Sequence, residues 1–295
     1  MLDIKVNTFL SLYKNRSYTK AAEELCITQP AVTQHIQSLE NYYDCKFFHY
    51  SNRQLKVTKA GEIFYKYALS TKVNEKNVLQ KIKELNRVQK EIRFAATLTI
   101  GEFTLPPILD DFMKTFHEYR ITMYVDNTEK VLELLQKGQI HFALVEGLFN
   151  KSDYATKLYK TSRFILTAPI THPFIRMEKV SLKDIMEETM IIREKGSGSR
   201  EVLERGLFDK NYTLQGFKNT IEIGNVNVIK EMVKREIGLS FMYEDAVRKE
   251  IENKELVEIV IEDFIIEREF NFIYLENNIM KKDLEKFLSF FRKVT

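Results

Sequence analysis

The first fifth of the chain contains three runs of apolar positions at helical spacing. In residues 2–13 the apolar side chains recur every three or four positions, which predicts a helix with one buried stripe. A second, short helix is predicted over residues 19–25, where two adjacent alanines suit close helix packing. A third is predicted over residues 29–43, because Thr28 offers an N-cap oxygen and Pro30 occupies the first turn.

The third predicted helix has two different faces. At 100° per residue, Val32, Ile36 and Leu39 share one face with Tyr43. Four residues gather away from this apolar stripe, namely Pro30, Thr33, Gln34 and Gln37, and Gln29 at the beginning of the helix is a fifth candidate contact. A short helix, a three-residue turn and a polar-faced helix are typical of a helix-turn-helix, whose second helix enters the DNA major groove. We therefore expect these five residues to contact double-stranded DNA.

Two short strands follow the third helix. Residues 46–48 and 55–57 are predicted to pair around a turn at residues 51–53, which places Arg53 at the tip of a hairpin wing. Such a wing reaches the DNA backbone or the minor groove, so Arg53 is the sixth candidate DNA contact. The predicted architecture of residues 1–58 is a winged helix-turn-helix, although any small helical bundle has similar apolar stripes.

A long helix is predicted to follow the wing and to end in a hinge at residues 88–91, so that helix and hinge span residues 59–91. Its apolar positions follow alternating steps of four and three, with Thr71 and Glu75 weakening the centre. We expect the apolar positions to form a dimerisation seam: Phe64, Ala68, Val78, Ile82 and Leu85. The alternative is an ordinary helix that packs on its own domain.

Beyond residue 91 strands alternate with helices, which predicts a parallel α/β arrangement. The last strand and helix are expected to return to the first set, so the region should form two similar lobes with a cleft between them. Lobe I covers about residues 92–162 and 266–295, and lobe II about residues 163–265. The fold class is therefore α/β, with an N-terminal all-α winged helix-turn-helix domain, a long linker helix and a two-lobed effector domain.

Charge divides the chain in the same way. Residues 1–91 carry 15 Lys and Arg against 9 Asp and Glu, a net +6, whereas residues 92–295 carry a net −3. The chain has no apolar run long enough for a membrane span and no signal-peptide pattern, so we expect a cytoplasmic protein without a membrane partner. Hydrolase, metalloprotease and P-loop motifs are missing, and Cys26 and Cys45 form no metal-binding pair. The sequence thus predicts no enzyme, no metal and no cofactor, and a small buried thiol at Cys26.

At this point the chain resembles the LysR-type transcriptional regulators over its whole length. The segments that resemble this family are SYTKAAEELCITQPAVTQHIQSLE (residues 17–40), KFFHYSNRQLKVTKAGE (46–62), TLTIGEFTLP (97–106), GQIHFALVEG (138–147), GSGSR (196–200) and GNVNVIKEMVKREIGLSFM (224–242). The resemblance implies that the two-lobed effector-binding domain is similar to periplasmic binding proteins. It also implies a regulator that binds a small effector between its lobes and assembles as a homodimer or homotetramer. One departure is Asp44, where the family usually has glycine, but aspartate tolerates the left-handed conformation.

Candidate effector contacts come from hydroxyl and amide side chains near the ends of strands and the beginnings of helices. They are Thr97, Thr99, Asn127, Ser197, Ser199 and Asn225. Hydroxyls, amides and helix N-termini suit a small anionic metabolite. The GSGSR segment is interpreted as a wall of this site, and the alternative is a simple N-capped turn.

The sequence therefore predicts a regulator that binds an inverted-repeat promoter site and responds to a small metabolite, with RNA polymerase as a further partner. The alternative is a ligand-binding or interaction protein with a vestigial helical head and no sequence-specific DNA binding.

Overall fold

The computed structural model describes residues 3–84, 90–276 and 281–293, and the chain divides into two compact units. The first unit comprises residues 1–87 with two short later segments, 136–138 and 275–282. The second unit comprises the remaining residues.

Three helices, a hairpin and a long fourth helix form most of the first unit, as the sequence predicts. These elements are α1 (Ile4–Asn15), α2 (Tyr18–Leu25), α3 (Gln29–Tyr42), β1 (Phe48–Ser51), β2 (Gln54–Val57) and α4 (Lys59–Glu84). Asp3, Ser17 and Thr28 cap α1, α2 and α3, because each side-chain oxygen accepts from a backbone N–H in the first turn. The chain leaves α3 through Asp44 in the left-handed conformation (φ 48°), as predicted.

Aromatic side chains fill the core of the first unit. The ring of Phe9, on α1, is fully buried and lies 4.6–5.3 Å from the rings of Phe47, Phe48 and Phe64. Phe47 and Phe64 also stack on each other, with centroids 4.6 Å apart. These contacts connect α1, the beginning of the hairpin and α4.

The predicted seam on α4 needs correction. Phe64 and Ala68 are 5% and 0% exposed and belong to the core of the chain's own first unit, so the prediction that they face a partner chain is wrong. The helix passes over this core, and Phe64 and Ala68 of its first three turns pack there. Val78 and Ile82 are exposed and remain predicted contacts, whereas Leu85 lies outside the described residues. The exposed apolar side chains of α4 are Ile63, Tyr67, Val78, Leu79 and Ile82.

Strands and helices alternate in the second unit, as predicted. The helices are α5 (Leu105–Thr115), α6 (Thr128–Gln136), α7 (Leu182–Met186), α8 (Gly198–Asp209), α9 (Val226–Lys234), α10 (Glu244–Glu252) and α11 (Lys281–Lys293). The strands are β3 (Lys90–Thr97), β4 (Tyr119–Asp126), β5 (Phe142–Val145), β6 (Ala155–Pro169), β7 (Thr189–Ile192), β8 (Asn219–Glu222), β9 (Ser240–Tyr243), β10 (Leu256–Ile259) and β11 (Ile266–Tyr274). Lys90 and Glu91 begin β3, so the predicted hinge at residues 88–91 is wrong for these two residues, and residues 88 and 89 lie outside the described residues.

The sheet is only partly parallel. In lobe I, β3 pairs in parallel with β4 and with β5, and β5 then pairs antiparallel with β11. β11 and β6 form a long antiparallel pair, and the far half of β6 is flanked by β9 and β10 of lobe II. β7 and β8 are parallel, and a bridge between Met190 and Leu239 joins β7 to the beginning of β9. The two lobes therefore share the strands β6 and β11, and the predicted boundary between residues 162 and 163 falls within β6.

Candidate functional site

The outer face of α3 carries five of the six predicted DNA contacts, and the sixth, Arg53, lies at the hairpin tip. Val32, Ile36 and Leu39 are buried, and this anchors one side of the helix in the core. On the opposite side Gln29, Pro30, Gln34 and Gln37 are exposed, as predicted. Thr33 is half-buried, and its hydroxyl donates to the carbonyl of Gln29 at 3.1 Å. We call Gln29, Pro30, Thr33, Gln34 and Gln37 the recognition face. It presents three side-chain amides that can donate to and accept from base edges.

A buried carboxylate fixes α3 relative to the hairpin. Glu40 is 6% exposed, and its Oε1 accepts from the backbone N–H groups of Phe47 at 2.9 Å and Phe48 at 3.4 Å. Its Oε2 accepts from the Lys46 ammonium at 2.6 Å. Charge-assisted bonds to backbone donors are stronger than neutral ones, so Glu40 holds the angle between recognition helix and wing. The sequence analysis did not identify this residue.

The wing turns through two residues in the left-handed conformation. Asn52 and Arg53 have φ values of 51° and 60°, which is the pattern of a two-residue hairpin whose twist matches the strands. Arg53 is exposed at the tip, as predicted.

A groove of about 480 Å³ lies between the wing and the beginnings of α2 and α3. Its lining consists of Arg16, Ser17, Tyr18, Thr19, Gln29, Tyr50, Arg53, Gln54 and Leu55. The first turn of α2 lines this groove with Ser17, Tyr18 and Thr19, and Arg16 and Arg53 add two guanidinium groups. This combination suits a phosphate group. Arg16 and Thr19 were missed because they lie before and at the beginning of a helix whose alanines dominated the pattern.

The predicted buried thiol at Cys26 is wrong. Cys26 is exposed and ends α2 in the left-handed conformation, with φ of 54°. The turn between α2 and α3 requires this conformation, and it leaves the side chain of Cys26 exposed. Cys45 is half-buried, and both cysteines are free thiols.

A small cavity lies between the two lobes of the second unit. Its volume is about 10 Å³, enough for one water-sized group. Its lining comes from the end of β3, the end of β7, the beginnings of α8 and α9, and β9: Thr99, Arg193, Ser199, Val226, Ile229, Ser240, Phe241, Met242 and Tyr243. We call this cavity, together with Glu146, the cleft. A turn of π-helix over Ile100–Thr104 follows Thr99, an irregularity often found at functional sites.

Glu146 follows β5 and is 2% exposed. Burial raises the pKa of its carboxyl group to about 7, against the lowering effects of the Arg193 charge and of a hydrogen bond from Thr99. Its Oε2 and the hydroxyl of Tyr243 are buried and have no hydrogen-bond partner among the described residues. Burial also raises the pKa of Tyr243, and the neighbouring Glu146 adds to this effect. Buried polar groups without a partner are rare, and each one needs an explanation.

Arg193 is the cation that lines the cleft, and it is already paired with the carboxylate of Glu194. The guanidinium is 6% exposed and donates from Nε and Nη2 to the two oxygens of Glu194 at 2.8 and 2.9 Å. Burial works to raise the pKa of Glu194, but the bonds from Arg193 hold it below its ordinary value. Asn127 of lobe I also donates to Glu194, at 3.4 Å. The ion pair of Arg193 and Glu194 in lobe II is therefore connected to lobe I through Asn127.

Of the six predicted effector contacts, Thr99 and Ser199 line the cavity. Thr97 and Ser197 are 1% and 2% exposed, and the Thr97 hydroxyl has no partner among the described residues. The two predicted asparagines, Asn127 and Asn225, have a structural role instead. Asn127 and Asn225 cap α6 and α9, because their Oδ1 atoms accept from Lys130 and Val228 at 3.1 and 3.0 Å. The predicted direct role of these two residues in the cleft is therefore not supported by their geometry.

The GSGSR segment brings the lobes into close contact. Gly198 begins α8, and its N–H donates to the Thr128 hydroxyl of lobe I at 3.2 Å. A Cβ at Gly198 would lie 2.6 Å from that hydroxyl and 2.7 Å from the carbonyl of Glu146. Gly147, with φ of 93°, faces it from the other side. The segment is thus a wall of the cleft, and its Ser197 makes no side-chain cap bond.

The sequence reasoning missed Glu146, Arg193 and Tyr243. A usable signal was present, because Glu146 and Arg193 each follow directly on a short, buried apolar strand. Ligands in α/β sheets bind near the carboxyl ends of strands, and this rule applies to charged residues as much as to hydroxyls. Tyr243 gives no such signal, since a tyrosine at the end of an apolar strand is ordinary core.

Within the described ranges, no three His, Cys, Asp or Glu side chains come together as a metal site. None of the described helices has both the length and the apolar content to cross a membrane.

Comparison with known proteins matches both units. Residues 5–62 match the family described as "Bacterial regulatory helix-turn-helix protein, lysR family", and residues 86–295 match "LysR substrate binding domain". The HTH-type transcriptional regulator CysL of Bacillus subtilis is 29% identical over 95% of this chain and 93% of its own length. An uncharacterized HTH-type transcriptional regulator of Methanocaldococcus jannaschii is 30% identical over 98% of this chain and 96% of its own.

Among solved structures, the regulatory domain of CcmR from Synechocystis, determined in complex with 2-PG, has a similar fold. It covers 70% of this chain and 98% of its own, with a TM-score of 0.63 and 22% sequence identity.

Proposed function

The chain belongs to the LysR family of transcriptional regulators, and from that premise we propose that it binds an inverted-repeat promoter site as a homo-oligomer and responds to a small metabolite in the cleft. The observation that carries the DNA half is the recognition face, exposed on a helix whose other side is locked into an aromatic core. Two such helices from a symmetric dimer would meet half-sites about 34 Å apart, or a multiple of that distance.

A second feature supports the oligomer. Exposed apolar side chains on α4, including Val78 and Ile82, form a surface that a second copy of the helix would cover. Ile82→Glu should shift the protein toward monomer and weaken DNA binding, because an unpaired charge in a buried seam is costly. Lys83→Glu, which changes charge on the same turn at an exposed position, should leave the dimer intact. Light scattering distinguishes these outcomes, and an unchanged dimer in Ile82→Glu would place the seam elsewhere.

The cleft supports the effector half of the proposal. Arg193, Ser199 and the N-terminal ends of α8 and α9 are groups that suit a small carboxylate. CcmR, which shares this fold, was solved with 2-PG. We propose that an anionic metabolite binds between the lobes and alters the DNA-bound assembly, which in turn changes contact with RNA polymerase.

The role we propose is regulatory and not catalytic, as the names of the matched relatives suggest. A protein that acts on promoter DNA is expected in the cytoplasm.

Selection of duplexes from a random DNA library by the full-length protein tests the DNA half. We expect enrichment of an inverted repeat, with log K falling steeply as log salt rises, by about 0.9 per phosphate contacted. Binding without any enriched sequence would favour the alternative of a ligand-binding protein with a vestigial head.

A further inference from the structure

Glu146 is a buried carboxyl group of which one oxygen has no partner. The residue is 2% exposed, Thr99 bonds to it from the end of β3, and its Oε2 has no hydrogen-bond partner within the described part of the chain. Thr99 and Tyr243 both line the small cavity of the cleft, and the Tyr243 hydroxyl also has no hydrogen-bond partner among the described residues. Because Glu146 interacts with both of these lining residues, its unmatched oxygen and the unmatched hydroxyl indicate that a ligand in the cleft supplies hydrogen bonds there.

The charges that face Glu146 come from three elements. Arg193 lies at the end of β7, Asp245 begins α10, and Tyr243 ends β9. Arg193 is engaged by Glu194 through two hydrogen bonds, and Asp245 is engaged by Lys160 and Ser162. Because both neighbouring ions already have partners, burial is the dominant influence on Glu146 and raises its pKa to about 7.

The cavity that Thr99 and Tyr243 line admits only one small group in this structure. Its volume of about 10 Å³ corresponds to a single water-sized group, and Arg193 and Ser199 line this same volume. A whole amino acid therefore fits only after the lobes separate, and its carboxylate is then favoured at the beginning of α8, beside Arg193 and Ser199. The close contact at Gly198 means that the lobes must separate before such a ligand enters.

We propose that Glu146 selects the amino group of the effector, and that the effector is a small amino acid whose ammonium donates to Glu146 while its carboxylate lies against Arg193 and the beginning of α8. The proposal rests on the proposed function, because it assigns the chemistry of the ligand in that same cleft.

Proton balance follows from this arrangement. The ammonium group keeps its protons and favours the ionised carboxylate, so the fraction of Glu146 that was protonated releases its proton to solvent. At pH 7 this release is about half a proton per ligand, and affinity rises as the pH goes from about 6 to 8. A carboxylate without an amino group has the opposite sign, since its negative charge favours neutral Glu146 and proton uptake.

The test uses the full-length protein and three matched sets of probes. The first set is the twenty proteinogenic amino acids, and the others are the corresponding 2-hydroxy acids and desamino acids that are stable in solution. Thermal shift identifies binders, and titration calorimetry at pH 7 in phosphate and in Tris measures proton release. We expect at least one amino acid to bind roughly tenfold or more tightly than its 2-hydroxy and desamino analogues, with proton release.

Glu146→Gln is the decisive variant. It keeps the shape of the side chain, and we expect it to lose the amino-acid preference and the proton release while its melting temperature stays at least as high. Glu204→Gln, an isosteric change at an exposed position of α8, should keep both properties.

Three results would overturn the proposal: no amino acid binds, a desamino acid binds equally well, or Glu146→Gln keeps the preference. DNA binding, measured separately by fluorescence anisotropy, shows whether the proposed function fails as well. A desamino acid that changes DNA affinity would defeat the amino-group assignment and leave the regulator intact.

Discussion

The recognition face and the cleft are built in opposite ways. On α3 the polar side chains are exposed and the apolar ones are buried behind them, so contact with a ligand and stability come from different residues. In the cleft the polar groups themselves are buried, with Glu146 at 2% and Arg193 at 6% exposure. A group taken out of water affects the free energy of folding as well as binding. Changes on α3 should therefore alter affinity alone, whereas changes in the cleft should alter affinity and stability together.

The largest effect should follow from removal of a ring behind the recognition face. Phe9→Ala leaves a cavity among Phe47, Phe48 and Phe64 and should cost about 3–5 kcal/mol in unfolding of the first unit. Calorimetry of the full chain should show the transition of the first unit lowered, with loss of DNA binding. Phe208→Ala, at an exposed ring on α8, is the control and should change little. Retained DNA binding in Phe9→Ala with an unchanged transition would contradict the importance of this core.

In the cleft, the size of the effect on stability should depend on pH. Because the pKa of folded Glu146 is about 7 and its ordinary value is 4.5, the folded state binds the proton more tightly, and stability falls as pH rises from about 4.5 to 7. Glu146→Gln removes this loss, so it should be more stable than wild type by about 3 kcal/mol at pH 8 and nearly equal at pH 4. Chemical denaturation at the two pH values measures the difference. A variant that is destabilised equally at both would show that Glu146 is not held in its neutral form.

The contact between lobes can be disturbed without any charge. Gly198→Ala places a methyl group against the Glu146 carbonyl, and we expect a loss of about 1–3 kcal/mol together with weaker effector binding. Gly216→Ala is a matched control, since the nearest atom to its Cβ is the sulfur of Met186 at 3.4 Å. Equal melting temperatures for the two variants would mean that the lobes yield easily at this point.

On α3 the comparison predicts an effect on binding alone. Gln34→Ala should weaken binding to the selected DNA site by about 1–3 kcal/mol without lowering the melting temperature. Fluorescence anisotropy with the selected duplex and a scrambled duplex makes the measurement. Equal losses on both duplexes would assign Gln34 to backbone contact.

The smallest change is expected at the wing. Arg53→Ala should weaken binding to selected and scrambled duplexes alike and should reduce the slope of log K against log salt by about one, because one phosphate contact is lost. Gln54→Ala is a neutral neighbour on the same groove and should leave the slope unchanged. An unaltered slope in Arg53→Ala would remove the wing tip from the interface.

The two regions also differ in how far the sequence predicts them. Recognition helix, cap at Thr28 and hairpin follow from local periodicity and local hydrogen bonds, and the prediction is confirmed for them, except that β1 lies at Phe48–Ser51 and not at residues 46–48. The cleft is assembled from residues 47–94 positions apart, such as Thr99, Glu146 and Arg193, and no local pattern joins them. Asn127 and Asn225 are caps in the structure, and the sequence could not distinguish this role from effector binding, because a polar residue before a helix serves equally well as cap or ligand.

Some elements of the second unit have no local pattern that predicts them. α10 is strongly charged and buries only Ala246 and Val247 along its length, too few for a periodic stripe. The first half of β6 is mostly polar and takes its strand conformation from pairing with β11, so only its apolar end has the pattern of a strand. On α4, Phe64 and Ala68 have the spacing of a seam, but spacing alone does not say whether the surface that covers them belongs to the same chain.

The position of β11 in the sheet has a consequence for synthesis of the chain. β11 separates β5 from β6, yet it is translated after all of lobe II. As the chain leaves the ribosome, one edge of β5 in lobe I therefore stays unpaired until residues 266–274 emerge. The first strand of lobe I, β3, is translated long before that. Lobe II, which is continuous in sequence, can complete its own sheet earlier. The order of folding within the second unit is thus expected to run against the order of translation, and the uncovered edge of β5 is where a nascent chain would need protection from aggregation.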